Sequence, residues 1–276
     1  MSDFSSQIQE KIETKDYKLP LLPTVAMKIM KMSNDPNVDF GELTKLIQQD
    51  QTVASQIIRI SNSSMFAASG NIVSVSQALA RLGTRTVCEI TLSVTLQNEI
   101  FSSGGFKHLT QFQWRHALAS GLWCKKIAFF KKLNVEAMFV SGLLHCIGKP
   151  VVMKVVLELC KKEDYQIDEQ ELSSYIEKFF NEVTERLMIE WAMPTQIAVV
   201  TKYYTKPQET TEFKAESFVL GLADMLAEFT LTKDERIMAK LKSDDRWQKL
   251  NIYPDEVTDI LKSIEKIEEE LSGMTV

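Results

Sequence analysis

An adjacent histidine and cysteine are the residues of this sequence best suited to chemistry. His145 and Cys146 lie in the stretch Ser-Gly-Leu-Leu-His-Cys-Ile-Gly-Lys at positions 141–149. An imidazole beside a thiol could act as the base for a cysteine nucleophile. However, consecutive side chains on a helix point about 100° apart, so these two groups would not face each other. No oxyanion-binding motif accompanies them, and we therefore discount a cysteine nucleophile.

The elements that must position these residues are helices. Strand-like alternation is absent, and apolar residues recur at spacings of three and four, which predicts an all-α protein. The predicted helices span about 24–33, 40–47, 51–61, 75–82, 84–100, 110–131, 135–147, 151–161, 170–193, 195–205, 213–230 and 254–272.

Several local signals fix the predicted helix ends. Asp39 is a helix N-cap, and Ser74 with Gln77 forms a capping box in which each side chain satisfies a free backbone N–H. Gly83 is well placed to end the helix that this box begins. The loop Ser-Ser-Gly-Gly at 102–105 is the best internal boundary in the sequence.

Three further segments allow two interpretations each. Asn62 at a helix end could take the left-handed conformation and satisfy free carbonyls, which we favour over ligand binding. The methionines at 27, 30 and 32 are core residues at helical spacing or part of a flexible partner surface. The apolar stripe of 254–272 packs on the protein's own body, which we favour, or forms a dimer contact.

Composition excludes some function classes. The 276 residues are 45% apolar and 25% charged, which is typical of a globular protein with one large or two moderate domains. The net charge of −5 argues against non-specific nucleic-acid binding, which needs a clustered positive surface. We therefore expect no nucleic-acid partner.

The expected location is the cytoplasm. The N-terminus is polar and lacks the apolar region of a signal peptide. No uninterrupted apolar run approaches the ~18 residues of a membrane span. The four cysteines form no CxxC pair and are predicted to be reduced thiols. We expect no membrane association.

Several motifs in order resemble the HDOD domain, a helical family related to the HD phosphohydrolases. They are Leu-Pro-Leu-Leu-Pro at 19–23, Asp50, Arg-Ile-Ser-Asn-Ser-Ser at 59–64 and Ser-Gln-Ala-Leu-Ala-Arg-Leu-Gly at 76–83. Gln51 departs from the family, which often has proline there. The resemblance covers about 17–225 and implies a multi-helix bundle with a role in bacterial signal transduction.

The resemblance also implies a division of the chain. An N-terminal segment (1–16) would precede the HDOD domain, and a C-terminal helical extension (226–276) would follow it. The domain itself would consist of an N-terminal helical half at about 17–101 and an HD-like half at about 106–225.

In an HD enzyme, histidines and aspartates converge on one or two divalent ions. The resemblance places His116, His145 and Asp224 at ligand positions, but Cys146 stands where the doublet aspartate is expected. Aromatic pairs at 179–180 and 203–204 occupy places where some members have histidine. We interpret the site as vestigial and expect no cofactor. The alternative is one divalent ion on the three remaining ligands, with the thiolate as a fourth for zinc.

The sequence thus favours a non-catalytic signal-transduction regulator, monomeric or homodimeric, that binds a protein partner or a small nucleotide. No catalytic residue is assigned, and His108 is expected to be exposed. A divergent metal-dependent phosphohydrolase or nucleotide phosphodiesterase is the alternative. A structural adaptor that dimerises through 254–272 is a third hypothesis.

Overall fold

A computed structural model describes residues 4–33, 39–63, 66, 71–101 and 106–275. These ranges contain α-helices, short 3₁₀ turns and no strand, so the predicted all-α fold is confirmed. The helices are α1 (Phe4–Glu13), α2 (Thr24–Ser33), α3 (Phe40–Gln48), α4 (Gln51–Ser61), α5 (Val75–Glu99), α6 (Lys107–Lys131), α7 (Val135–Leu144), α8 (Gly148–Glu163), α9 (Glu169–Glu190), α10 (Thr195–Tyr203), α11 (Lys214–Thr232), α12 (Glu235–Lys242), α13 (Arg246–Lys249), α14 (Pro254–Leu261) and α15 (Ile264–Met274).

The chain forms two compact units. The larger unit comprises Met1–Leu21 and Ile100–Thr258, and the smaller unit comprises Leu22–Glu99 and Asp259–Val276. The loop at 102–105, which the sequence marks as a boundary, lies outside the described residues.

In the larger unit, α6 is the central helix, and α7 and α11 pack against it. Gly121 on α6 and Gly142 on α7 allow these two helices to approach closely. A Cβ on Gly142 would lie 2.6 Å from the Ser120 carbonyl oxygen and 2.7 Å from Gly121 Cα. On the α11 side, the buried indole of Trp123 donates a hydrogen bond to the Thr230 hydroxyl at 3.0 Å. These contacts fix the three helices that carry the candidate ligands.

A second helix pair in this unit joins α8 to α9, and α1 packs against α8. Ile8 and Ile12 of α1 are buried on one face. No helix was predicted in 1–16, although this i, i+4 pair of isoleucines was a signal for one.

The smaller unit is organised around α5, against which α2, α3 and α4 pack. Gly83 interrupts α5 with φ 80° and ψ 160°, so the predicted break falls at the predicted residue. Ser74 caps the Gln77 N–H as expected. However, the Gln77 side chain accepts from the Val73 N–H, one residue before the position that a capping box requires.

Asn62 has a structural role, but the left-handed conformation expected for it is wrong. Its φ is −99° and its ψ is 0°. The side-chain amide donates to the carbonyls of Ile58 and Ile72, and its oxygen accepts from the Ile72 N–H. Asn62 therefore ties the end of α4 to the chain ten residues later through its side chain, and a left-handed backbone is not needed.

The C-terminal segment is divided. The single helix predicted over 254–272 is two helices, α14 and α15. Val257, Ile260, Ile267 and Leu271 of the predicted stripe are buried within the single chain, as packing on the protein's own body requires.

One apolar segment passes a simple test for a membrane span. Val135–Glu163 is long and apolar enough to cross a bilayer, but 83% of its apolar 18-residue stretch is buried inside the protein. A turn at 145–147 also divides it into α7 and α8. Core helices pass the same test, so the segment is weak evidence for a span.

Candidate functional site

The larger unit brings together the four residues that the resemblance singled out. His116 comes from α6, His145 and Cys146 follow the end of α7, and Asp224 comes from α11. One ligand atom each from His116, His145 and Cys146 lie within 4.8 Å of one another. Asp224 Oδ1 lies 3.1 Å from His145 Nε2 and 3.5 Å from His116 Nε2. His108 is exposed, as expected.

The hydrogen bonds of His145 define where its free nitrogen points. Its Nδ1 lies 2.6 Å from the Gly142 carbonyl oxygen. Because a carbonyl only accepts, Nδ1 carries the proton. In a neutral ring, the Nε2 lone pair then faces the Asp224 carboxylate, and two acceptors cannot bond. The contact between Nε2 and Asp224 therefore requires a positive charge, either a second ring proton or a metal cation.

His116 is a buried imidazole without a good partner. Its Nε2 lies 3.5 Å from Asp224 Oδ1 and 3.6 Å from Glu228 Oε2, which is long for a hydrogen bond. Its Nδ1 is buried and has no hydrogen-bond partner among the described residues. Burial lowers the pKa of His116 to about 4, although Asp224 opposes the shift. The ring is therefore neutral at pH 7, the form that ligates metals.

Asp224 supplies the negative charge of the cluster. Burial raises its pKa, but the hydrogen bond with His145, together with the neighbouring His116 and His145 rings and the Lys149 ammonium, lowers the pKa to about 2. A third of the side chain still reaches solvent, as does 38% of Glu228, which lies one turn later on α11. The site thus opens to solvent along α11. Glu228 was not predicted as a site residue, and its i+4 spacing from Asp224 was the available signal.

Cys146 is fully buried beside the candidate ligands, and in the absence of a metal its thiol is a weak nucleophile. Burial raises the pKa of its thiol to about 12, with only partial opposition from Lys149. Because the thiolate is the nucleophilic form, the neutral thiol reacts slowly at pH 7, and it would have to lose its proton to bind a metal. This position therefore carries no negative charge, whereas the family resemblance predicts a carboxylate there.

Lys149 adds a positive charge that the sequence analysis did not identify. Its ammonium group lies 2.7 Å from Glu177 Oε1 on α9 and 4.7 Å from the centre of the Phe180 ring. Burial lowers the pKa of Lys149, but Cys146, Glu177 and Asp224 together raise it above its usual value. The side chain is 17% exposed, so this charge acts on the site with little screening.

Aromatic side chains lie against His145 and against Lys149. The Tyr204 ring is buried and packs edge-on against His145, with ring centres 5.3 Å apart. Phe180 lies under the Lys149 ammonium. Both residues belong to the aromatic pairs noted in the sequence, so apolar volume adjoins the candidate ligands.

The donor set fits one divalent ion better than two. His116, His145 and Asp224 would hold it, and such nitrogen and oxygen ligands suit zinc or iron. When bound, that ion would polarise a phosphate oxygen and activate water. For a second ion, the described residues nearby add the neutral thiol of Cys146 and the Glu228 carboxylate, and the Lys149 ammonium would repel it.

The titration of His116 predicts a pH-dependent stability in the presence of a chelator. Its folded pKa of about 4 lies below the unfolded 6.5. The unfolded chain therefore binds the proton first, and stability falls as the pH decreases from 6.5 to 4. For His116→Gln we expect a decrease in unfolding free energy between pH 7 and pH 4.5 that is smaller by about 2 kcal/mol.

Urea unfolding followed by tryptophan fluorescence checks this expectation. The matched control is His108→Gln, which removes an exposed histidine and should leave the wild-type pH dependence unchanged. Equal slopes for wild type and His116→Gln would show that His116 is not held neutral by burial.

Comparison with known proteins identifies relatives of this chain. The family model described as the HDOD domain matches residues 19–207. A Treponema pallidum protein of uncharacterised function is 22% identical over 228 residues, which cover 76% of this chain. The chain spans less than half of that relative, 42% of its length.

Two crystal structures show the same fold. An HDOD domain protein of unknown function from Geobacter sulfurreducens is 20% identical, with a TM-score of 0.76 and 99% of each chain covered. A provisionally assigned metal-dependent phosphohydrolase from Shewanella amazonensis is 18% identical, with a TM-score of 0.71, covering 98% of this chain and all of its own.

Proposed function

This chain belongs to the HDOD domain family, and we propose that it is a signal-transduction regulator that binds a partner and does not hydrolyse phosphate esters. The observation that carries the proposal is the buried, neutral thiol of Cys146, which lies where the family resemblance predicts a ligating carboxylate. A cytoplasmic location remains part of the proposal.

Electrostatics at the site support the absence of turnover. Two-metal hydrolysis places two cations a few ångströms apart and needs carboxylates to hold them. Here the thiol contributes no charge, and the Lys149 ammonium, paired with Glu177, acts on both Cys146 and Asp224. We infer that Lys149 supplies internally some of the positive charge that a metal would otherwise bring to Asp224.

The same charges favour a protein partner over a nucleotide at this opening. The solvent-facing part of the site carries the carboxyl groups of Asp224 and Glu228. Asp224 is held ionised by its low pKa. Burial raises the pKa of Glu228, and the charge of Asp224 raises it further. The Asp224 carboxylate would repel the phosphate group of a nucleotide at this opening.

A single-metal phosphohydrolase is the second candidate. The specific observation in its favour is the convergence of His116, His145 and Asp224, including a His145 Nε2 that requires a positive charge at the Asp224 contact. This candidate would need turnover from one ion and its bound water.

Metal content and turnover measured on the same protein decide between them. The full chain is purified from medium supplemented with manganese, iron and zinc, and its metal is quantified by mass spectrometry. Chromogenic phosphate mono- and diesters are then assayed against the double variant His145→Ala/Asp224→Ala. We expect the wild-type rate to equal that of the variant. Near-stoichiometric metal with turnover that the variant loses would overturn the proposal.

A further inference from the structure

A groove in the smaller unit has the properties of a peptide-docking surface. It lies between α2 and α3 and has a volume of about 430 Å³, which is within the size range of ligand pockets. Its lining residues are Lys28, Lys31, Met32, Glu42, Lys45, Leu46 and Gln49. Those from α2 are spaced i, i+3, i+4, and those from α3 are spaced i, i+3, i+4, i+7, so each helix presents one face.

The groove is positively charged on an acidic protein. Lys28, Lys31 and Lys45 are all exposed, and Glu42 is the one acidic side chain in the lining. Within the part of the chain that the structure describes, none of the three ammonium groups forms an ion pair. The whole chain carries a net charge of −5, so this basic face has the opposite sign to the molecule as a whole.

The floor of the groove is apolar. Met32 is half-buried and Leu46 is 5% exposed. Methionine is flexible and polarisable, and it adapts to apolar side chains of different shapes. Met32 belongs to the methionine cluster for which the sequence allowed either a core or a partner-binding role. Because Met32 lines the groove, part of its side chain is available for contact with a partner.

We propose that the groove between α2 and α3 docks an acidic amphipathic helix of a partner protein. Apolar side chains of that helix would pack on Met32 and Leu46, while its carboxylates would pair with Lys28, Lys31 and Lys45. A small anion fits less well, because the lysines are spread over two helices and the floor offers it no donors. This inference rests on the proposed function, since it names the class of partner that the regulator binds.

The test uses a defined probe. A fluorescent helical peptide of about 18 residues carries leucines on one face and glutamates on the other. A scrambled peptide has the same composition but no apolar face. Anisotropy gives the affinity of each peptide for the full chain. We expect the amphipathic peptide to bind at least about tenfold more tightly than the scrambled one, with an affinity that weakens as salt rises.

Matched triple variants separate the groove from overall charge. Lys28→Glu/Lys31→Glu/Lys45→Glu reverses the basic face, and Lys154→Glu/Lys161→Glu/Lys162→Glu makes the same charge change on exposed positions of α8. We expect at least about a tenfold loss of affinity in the first and less than about twofold in the second. Circular dichroism establishes that both variants fold.

Three results would overturn the inference. Equal losses in the two triple variants would attribute binding to overall charge. Equal affinity for the scrambled peptide would remove the apolar contact. Displacement of the peptide by equimolar tripolyphosphate would identify a small-anion site.

Failure of this inference and failure of the proposed function are distinguishable. The groove shares no residue with the cluster around His145 and Asp224. Phosphate-ester turnover would therefore remove the regulator proposal whatever the peptide does. Absence of peptide binding, with turnover also absent, would remove only the groove as the partner surface.

Discussion

Replacing Gly148 by alanine is expected to destabilise the protein by about 3 kcal/mol. A Cβ on this residue would lie 2.2 Å from the Phe180 carbonyl oxygen and 2.8 Å from both Thr184 N and Thr184 Oγ1. Two of these atoms are backbone, so α8 and α9 must separate to admit the methyl group. The hydrogen bond that the Gly148 N–H donates to Thr184 Oγ1 would weaken as well. Urea unfolding followed by circular dichroism measures the change.

Gly41→Ala is the matched control. A Cβ there would meet only the exposed Asp39 side chain, at 3.1 Å, and this N-cap needs to shift by only a few tenths of an ångström to admit it. We expect a change within about 1 kcal/mol, because alanine also favours the helix. If Gly148→Ala were as stable as this control, the close approach of α8 and α9 would be wrong. The expected outcome would give Gly148 a role in helix packing that does not depend on a bound metal.

Local rules predicted the helices well where a side chain decides the end of a helix. Asp39 accepts a hydrogen bond from Gly41 N as an N-cap should. Asp50, which entered as part of a family motif, accepts from the N–H groups of Thr52 and Val53 and is the cap of α4. Such interactions involve two or three neighbouring residues, so the sequence contains all the information that they need.

Interactions between distant residues were not predictable in the same way. Lys149 reads as an ordinary first-turn residue of α8, and nothing nearby in the sequence indicates Glu177, 28 residues later. The resemblance supplied His116, His145 and Asp224 because it encodes a three-dimensional arrangement already. It did not supply Lys149 or Glu228, which lie outside the motifs. The positive charge of Lys149 in the site is therefore apparent only from the packing of α8 against α9.

Cys146→Asp is expected to convert the site into a metal-dependent one. The variant buries a carboxylate in a position that is fully buried and already near Asp224 and Glu177. Without metal, we expect it to be about 3 kcal/mol less stable than wild type. A divalent ion would neutralise the added charge and gain a ligand. Zinc or manganese at about 100 times its dissociation constant should therefore restore about 2.7 kcal/mol.

Thermal unfolding with and without added metal, together with metal content, tests this conversion. Cys146→Asn is the matched control, because asparagine has the shape of aspartate without the charge. It should lose stability without regaining it in metal. If Cys146→Asp gained nothing from metal, Lys149 and the aromatic side chains, in addition to the thiol, would prevent binding. Metal binding by Cys146→Asp would instead mean that the thiol is the main barrier to binding. His116, His145 and Asp224 would then hold a metal ion once one carboxylate is added.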